Sequence, residues 1–217
     1  MSKPLKTLQK QFLQQGLHLL FSFDTSIAPG CIIERRRARD VNLKGNIDKF
    51  KAAKLKVLGP ADLGLIEFSR VHELDVGAGG ELIGGGAASG SLKKARIVKL
   101  SLGNPVKFFV DDQIELFSRL LGAPAWPTSA QAMTLAQRDH FLVTEVVRTK
   151  LRYTFHTEGT VALSAEATGL KDLKAANLST TFKWDNDFEL VTKKEVVVAF
   201  EAVCWNARRK VFESLRR

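Results

Sequence analysis

Cysteine is nearly absent: Cys31 and Cys204 are the only two in 217 residues. They allow at most one bridge, and no CxxC or Cys/His zinc spacing accompanies them, so free thiols in a reducing compartment are expected. Long hydrophobic runs are missing too. No stretch reaches the ~18 continuous apolar residues of a spanning helix, so any membrane crossing has to use strands. Three lysines precede Leu17–Phe21, but Gln11, Gln14 and Gln15 interrupt the run and no A-x-A site follows, so secretion is not expected. With Pro 6, Gly 16, 45% hydrophobic and 26% charged residues, the composition excludes a collagen-like fibre and a disordered tail. A chain of this length buries roughly 70% of its unfolded surface and folds unaided.

Catalytic signatures are also lacking. His18, His72, His140 and His156 form no HExxH spacing, and neither a GxSxG elbow nor a paired-carboxylate motif occurs. The phosphate loop GxxxxGK[ST] is absent, and GxGxxG started at Gly77 and Gly79 meets Leu82 where glycine is required. Asp185-Asn186-Asp187 lacks the later glycine and glutamate of a calcium loop and reads as a turn. Trp126, Trp184 and Trp205 read as core or interfacial residues. No catalytic residue, metal or cofactor is expected.

What is abundant is positive charge, and it is local. Residues 1–56 hold 12 of the 33 bases and 4 of the 23 acids, which is +8 of the total +10. Lys3, Lys6 and Lys10 lie on the first segment; Arg35, Arg36, Arg37 and Arg39 form a dense run; Lys49, Lys51, Lys54 and Lys56 follow. Such a footprint suits a phosphodiester backbone or an anionic lipid surface, where each base contributes about 1 kcal/mol. A solvated basic face is the plain alternative. Nucleic-acid binding has the charge but no RNP-type aromatic strand, finger or clear helix-turn-helix.

Along the chain, Leu5, Leu8, Phe12 and Leu13 fit an amphipathic helix over 3–15 ending near Gly16. Leu17, Leu19, Phe21 and Phe23 alternate as a strand, and Pro29-Gly30 precedes Cys31-Ile32-Ile33. Residues 46–56 fit a short basic helix closed by Gly59-Pro60. Strand signals run from Leu63 to Val76, with a change of phase near Arg70. Seven glycines in the fourteen residues 77–90 argue for backbone mobility. Alternation returns at 93–102 with Val98, Leu100 and Leu102. Asp111-Asp112 caps a core helix carrying Ile114, Leu116, Phe117, Leu120 and Leu121, and a weaker helical stretch lies near 129–138. Leu151, Tyr153 and Phe155, then Val161 and Leu163, alternate with polar residues, and Val196–Phe200 suits a central strand. No repeat or boundary divides the chain. One α+β domain over 1–217 is expected, a twisted and mainly antiparallel sheet with packing helices and a short basic tail at 206–217.

This order of features resembles the pore-forming domain of gasdermins, particularly the compact bacterial ones. The likeness spans nearly the whole chain as a layout. Short matches such as Lys-Lys-Ala-Arg-Ile-Val-Lys-Leu at 93–100 and Val-Ala-Phe-Glu-Ala-Val at 198–203 accompany it. The resemblance implies a pore-forming effector of programmed cell death and antiviral defence, cytoplasmic while inactive and at the membrane when active. Such a protein binds acidic lipids, oligomerises and refolds two amphipathic hairpins into a β-barrel. By position the hairpins come from about 62–102 and 141–203. Val98, Leu100, Leu102, Leu151, Tyr153, Phe155, Val161 and Leu163 then face lipid, while Lys3, Lys6, Lys10, Arg35, Arg36, Arg37 and Arg39 bind headgroups. Two features depart from the family: the first cysteine is Cys31, not an acylated one near the N-terminus, and only twelve residues follow the last expected strand. Three arrangements fit: a minimal plug of Val211, Phe212 and Leu215 cleaved near Arg208-Arg209-Lys210 by a protease, control by a partner gasdermin chain, or a trimmed active fragment. The rival reading is a soluble basic protein that binds nucleic acid or an acidic protein.

Overall fold

The computed structural model describes residues 10, 12–14, 16–19, 26–37, 40–62, 96–103, 105–156, 178–182 and 187–215. In chain order these form β1 (His18–Leu19), β2 (Cys31–Arg37), β3 (Asp40–Asn46), β4 (Val57–Asp62), β5 (Arg96–Leu102) and β6 (Val106–Val110). Helices α1 (Gln113–Gly122) and α2 (Ala130–Leu135) follow. The rest is β7 (His140–Thr149), β8 (Leu151–His156), β9 (Leu178–Phe182), β10 (Asp187–Thr192), β11 (Val196–Asn206) and β12 (Val211–Ser214). Every described pairing is antiparallel. The architecture is α+β.

Two long strands organise it. β7 and β11 are rich in valine and pair with Val146 opposite Phe200, and both are buried along most of their length, as expected of strands covered on two faces. Each then carries two short neighbours on its outer edge. β1 and β12 divide the free edge of β11, while β2 and β6 divide that of β7, with β3 beyond β2 and β4 beyond β6.

The two faces of this sheet bury different clusters. Ile32, Leu142, Val203 and Trp205 meet α1, α2 and the loop residue Trp126 on one side. Ile33, Val143, Val146 and Phe200 meet Ile27 and Cys31 on the other. Neighbouring Ile32 and Ile33 thus serve opposite faces, the period of two that a pleated strand imposes. Helix α1 starts where Asp112 Oδ1 accepts the Glu115 N–H at 2.7 Å. It buries Leu116 and Leu120 one turn apart. Contrary to the core assignment for all five apolar positions of this helix, Ile114 is 80% exposed and Leu121 is also exposed. A single helix face meets the sheet, and these two lie off it.

Two further expectations change. Residues 46–56 form two single 3-10 turns, Ile47–Lys49 and Lys51–Ala53, with Phe50 extended between them. Gly59-Pro60 ends no helix: it lies within β4 at a bulge against β6, joined by a cis peptide bond. Gly59 has φ +133°, and a Cβ there would stand 2.6 Å from the Lys107 carbonyl oxygen, so glycine is what the close approach requires. Residues 206–217 are not simply a tail past the last strand. Residues 211–214 are β12, paired with β11 through a turn at 207–210. The expected strand over 63–76, the glycine-rich segment 77–90, Val161, Leu163 and Trp184 lie outside the described residues.

A second sheet has the order β5-β8-β10-β9. It prolongs the first. β5 runs into β6, β7 into β8 through Lys150, and β10 into β11 through residues 193–195, so the neighbour order β6-β7-β11 becomes β5-β8-β10. The Gly103 N–H donates to the Lys150 carbonyl at 2.8 Å and keeps the first two connections together.

Candidate functional site

The arginine strand comes first. β2 alternates Ile32/Ile33 into the cores and ends in Glu34 and the arginines. Glu34 pairs with Lys44 across the hairpin at 2.8 Å. Arg35 is half-buried, with its guanidinium carbon 5.5 Å from the centre of the fully buried Phe200 ring. Burial pulls its pKa below the usual arginine value. The Arg35 N–H also donates to the Asp139 carbonyl at 2.8 Å. Of the expected headgroup ligands, Arg35 therefore has a packing role. Arg36 sits at a shift in the β2–β3 register, and Arg37 opposes Asp40. Lys10 is exposed on a helical segment, whereas Lys3, Lys6 and Arg39 lie outside the described residues. His18, opposite Phe200 in the ladder, places its ring 5.8 Å from that phenyl group. The N-terminal segment and the arginine strand thus meet at one aromatic ring.

The second sheet lines up residues of like character in two of its cross-strand rows. Ile97, Phe155, Phe188 and Phe182 stand in one cross-strand row, and Leu100, Tyr153, Leu190 and Thr180 in another. The polar row Lys99, Thr154, Glu189 and Thr181 separates them, and beyond the Leu100 row Ser101, Arg152 and Ser179 stand in register with Val191. Pleating places alternate rows on alternate faces. Leu102 opposes Leu151, as Leu100 opposes Tyr153. Val98 stands outside this pairing. The shift between Ile97 and Lys99 leaves it without a partner, and Ile97 takes its place opposite Phe155. Alternation along one strand cannot reveal a bulge, which is why Ile97 was missed; Phe182 continues the alternation seen in the sequence, and Phe188 joins the row through its cross-strand register.

The C-terminal residues contribute to packing. Phe212 stacks on Phe117 with centroids 4.5 Å apart and lies 5.1 Å from Trp205 and 6.0 Å from Trp126. Leu215 packs against the opposite cluster, and Val211 is exposed. Among the described residues no three His, Cys, Asp or Glu side chains gather to hold a metal ion. A cleft at the start of α1 is lined by both signs of charge. Lys56 pairs there with Asp111 at 2.6 Å, and Arg119 pairs with Glu115. The Asp111 contact raises the Lys56 pKa. Cys31 and Cys204 are free thiols. No helix of the described residues is long and apolar enough to cross a membrane.

No family model matches the sequence, and no curated protein matches it. Among solved structures, the chain is similar to a bacterial gasdermin from Bradyrhizobium tropiciagri at 13% identity and a TM-score of 0.48, over 95% of this chain and 89% of that one.

Proposed function

We propose that this chain is a gasdermin-like pore former that binds acidic lipids, oligomerises and inserts strands of its second sheet as amphipathic hairpins. The observation that carries the reading is that sheet: an apolar row (Ile97, Phe155, Phe188, Phe182) and a polar row (Lys99, Thr154, Glu189, Thr181) run across β5, β8, β10 and β9, and three of these strands continue directly into the buried ladder. A membrane strand needs ~9–11 residues, an apolar lipid face and a closed set of backbone partners. β7 with 10 residues and β8 with 6, separated by Lys150 alone, supply that length when they act as one strand. Polar row members such as Lys99, Thr154 and Glu189 then line water. The gasdermin layout in the sequence supports the same reading.

Dye release from vesicles containing cardiolipin or phosphatidylserine tests it, before and after limited proteolysis at the 207–210 turn. Leakage is expected, and Leu100→Asp with Tyr153→Asp abolishes it because two charges then face hydrocarbon. Sealed vesicles under every trigger, with an oligonucleotide gel shift instead, would favour the soluble binder.

A further inference from the structure

Two carboxylates oppose each other in the middle of the main sheet. Glu145 of β7 and Glu201 of β11 are direct cross-strand partners. The next pairing is Ala202 with Val143, so Thr144 is an extra residue on β7, a bulge beside the two acids. Its hydroxyl is buried and has no hydrogen-bond partner among the described residues. The outer strands change over at the same level. On β7 the β2 pairing stops at Leu142 and the β6 pairing starts at Glu145; on β11 the β1 pairing stops at Phe200 and the β12 pairing starts at Val203. No outer strand spans the bulge, so this is the waist of the sheet.

Both acids face α1, because their neighbours Val146 and Phe200 belong to the cluster on the opposite side. Gln113 Nε2 of α1 donates to Glu201 Oε2 at 3.5 Å. From β6, Lys107 Nζ lies 3.6 Å from Glu145 Oε2 and 5.1 Å from the centre of the ring of Phe109, the residue opposite Glu145. Among the described residues Lys107 is the one cation in ion-pair contact with either acid, and the Glu145 side chain is only 16% exposed. The other charges at the start of α1 are engaged elsewhere: Asp111 by Lys56, Glu115 by Arg119, and Asp112 by the helix cap. Arg35 and His18 meet Phe200, on the far face of β11. Burial pushes the Glu145 pKa up, Lys107 draws it back in part, and Glu201 adds to the rise.

We propose that Glu145 and Glu201 form a proton-operated latch at this waist: with one of them protonated β7 and β11 stay closed through the bulge, and with both ionised their repulsion loosens the ladder there. Like charges directly opposite in an antiparallel pair destabilise it, and two half-buried acids on one face resist double ionisation. A folded chain that holds a proton the unfolded chain has already released gains stability as pH falls from the folded midpoint to the ordinary glutamate range, and loses it as pH rises through that midpoint. The latch belongs to the fold and needs no membrane. Its strands are the ones that run on into the second sheet, so it governs the ladder that the proposed hairpins extend.

The test is a carbon-detected NMR titration of the glutamate carboxyls in the full chain, with Glu145 assigned from its loss in E145Q. The pair is expected to release its protons in two steps, the later one above the ordinary glutamate range. E201Q is expected to lower the Glu145 midpoint and Lys107→Met to raise it. Thermal unfolding gives a second readout. E145Q is expected to melt above the unaltered chain at about pH 7, with the gap closing by about pH 4, where the native carboxyl is neutral too. A Glu145 midpoint in the ordinary range, or one that E201Q leaves in place, overturns the latch. A melting gap that stays constant with pH also overturns it, because a packing role alone is indifferent to protons. A titrating latch in a chain that leaves vesicles sealed upholds this inference and sinks the pore; leaky vesicles with an ordinary Glu145 midpoint do the reverse.

Discussion

Arg35 belongs to the dense basic run of the sequence, and in the fold its guanidinium rests on Phe200 from a half-buried position, so it takes part in the packing. Arg35→Ala is expected to lower stability by about 1 kcal/mol in urea unfolding. Arg36→Glu with Arg37→Glu, leaving Arg35 in place, is the cleaner probe of the strand's surface. Helix α1 offers a sharper contrast. Leu120 is fully buried and Ile114 is 80% exposed. Leu120→Ala is expected to cost about 2–5 kcal/mol, and Ile114→Ala about 0.5 kcal/mol or less in either direction. Equal losses would contradict the orientation of the helix. The sequence showed that five apolar residues share this helix but not how narrow a stripe the sheet would cover. The Asp112 cap, a local interaction, was readable directly.

At the level of elements, the final strand bears on the minimal plug expected of Val211, Phe212 and Leu215. β12 is a short edge strand, but Phe212 joins an aromatic cluster with Phe117, Trp126 and Trp205. Phe212→Ala is expected to destabilise the whole domain by about 3 kcal/mol, read as a lowered urea midpoint. A plug that merely covers a finished fold would leave that midpoint unchanged on truncation after Lys210. Strands with strong alternation or continuous valine, β5, β8 and β11, were legible because burial on one or both faces writes itself into the residue order. The turns at 47–53 were not. Their buried positions recur every three residues, a period that an α-helical reading takes for a weak amphipathic helix. β12 was missed because four residues flanked by charge carry almost no periodic signal.

For the molecule as a whole, the long strands β7 and β11 hold one sheet buried on both faces, and their continuations build another with an apolar and a polar row across it. The α+β class followed from residue order, and the mainly antiparallel sheet was expected from the gasdermin resemblance. The continuity of the two sheets did not, because it depends on which distant strands are neighbours. That continuity gives the proposed insertion its physical basis. Strands already paired in the right order can lengthen without exchanging partners, and the apolar rows have a hydrocarbon phase to enter. The most direct measurement is electron microscopy of the full chain on cardiolipin- or phosphatidylserine-containing vesicles, with and without cleavage in the 207–210 turn. Rings or arcs embedded in leaky membranes are the expected result; monomers scattered over intact vesicles under every condition would contradict it.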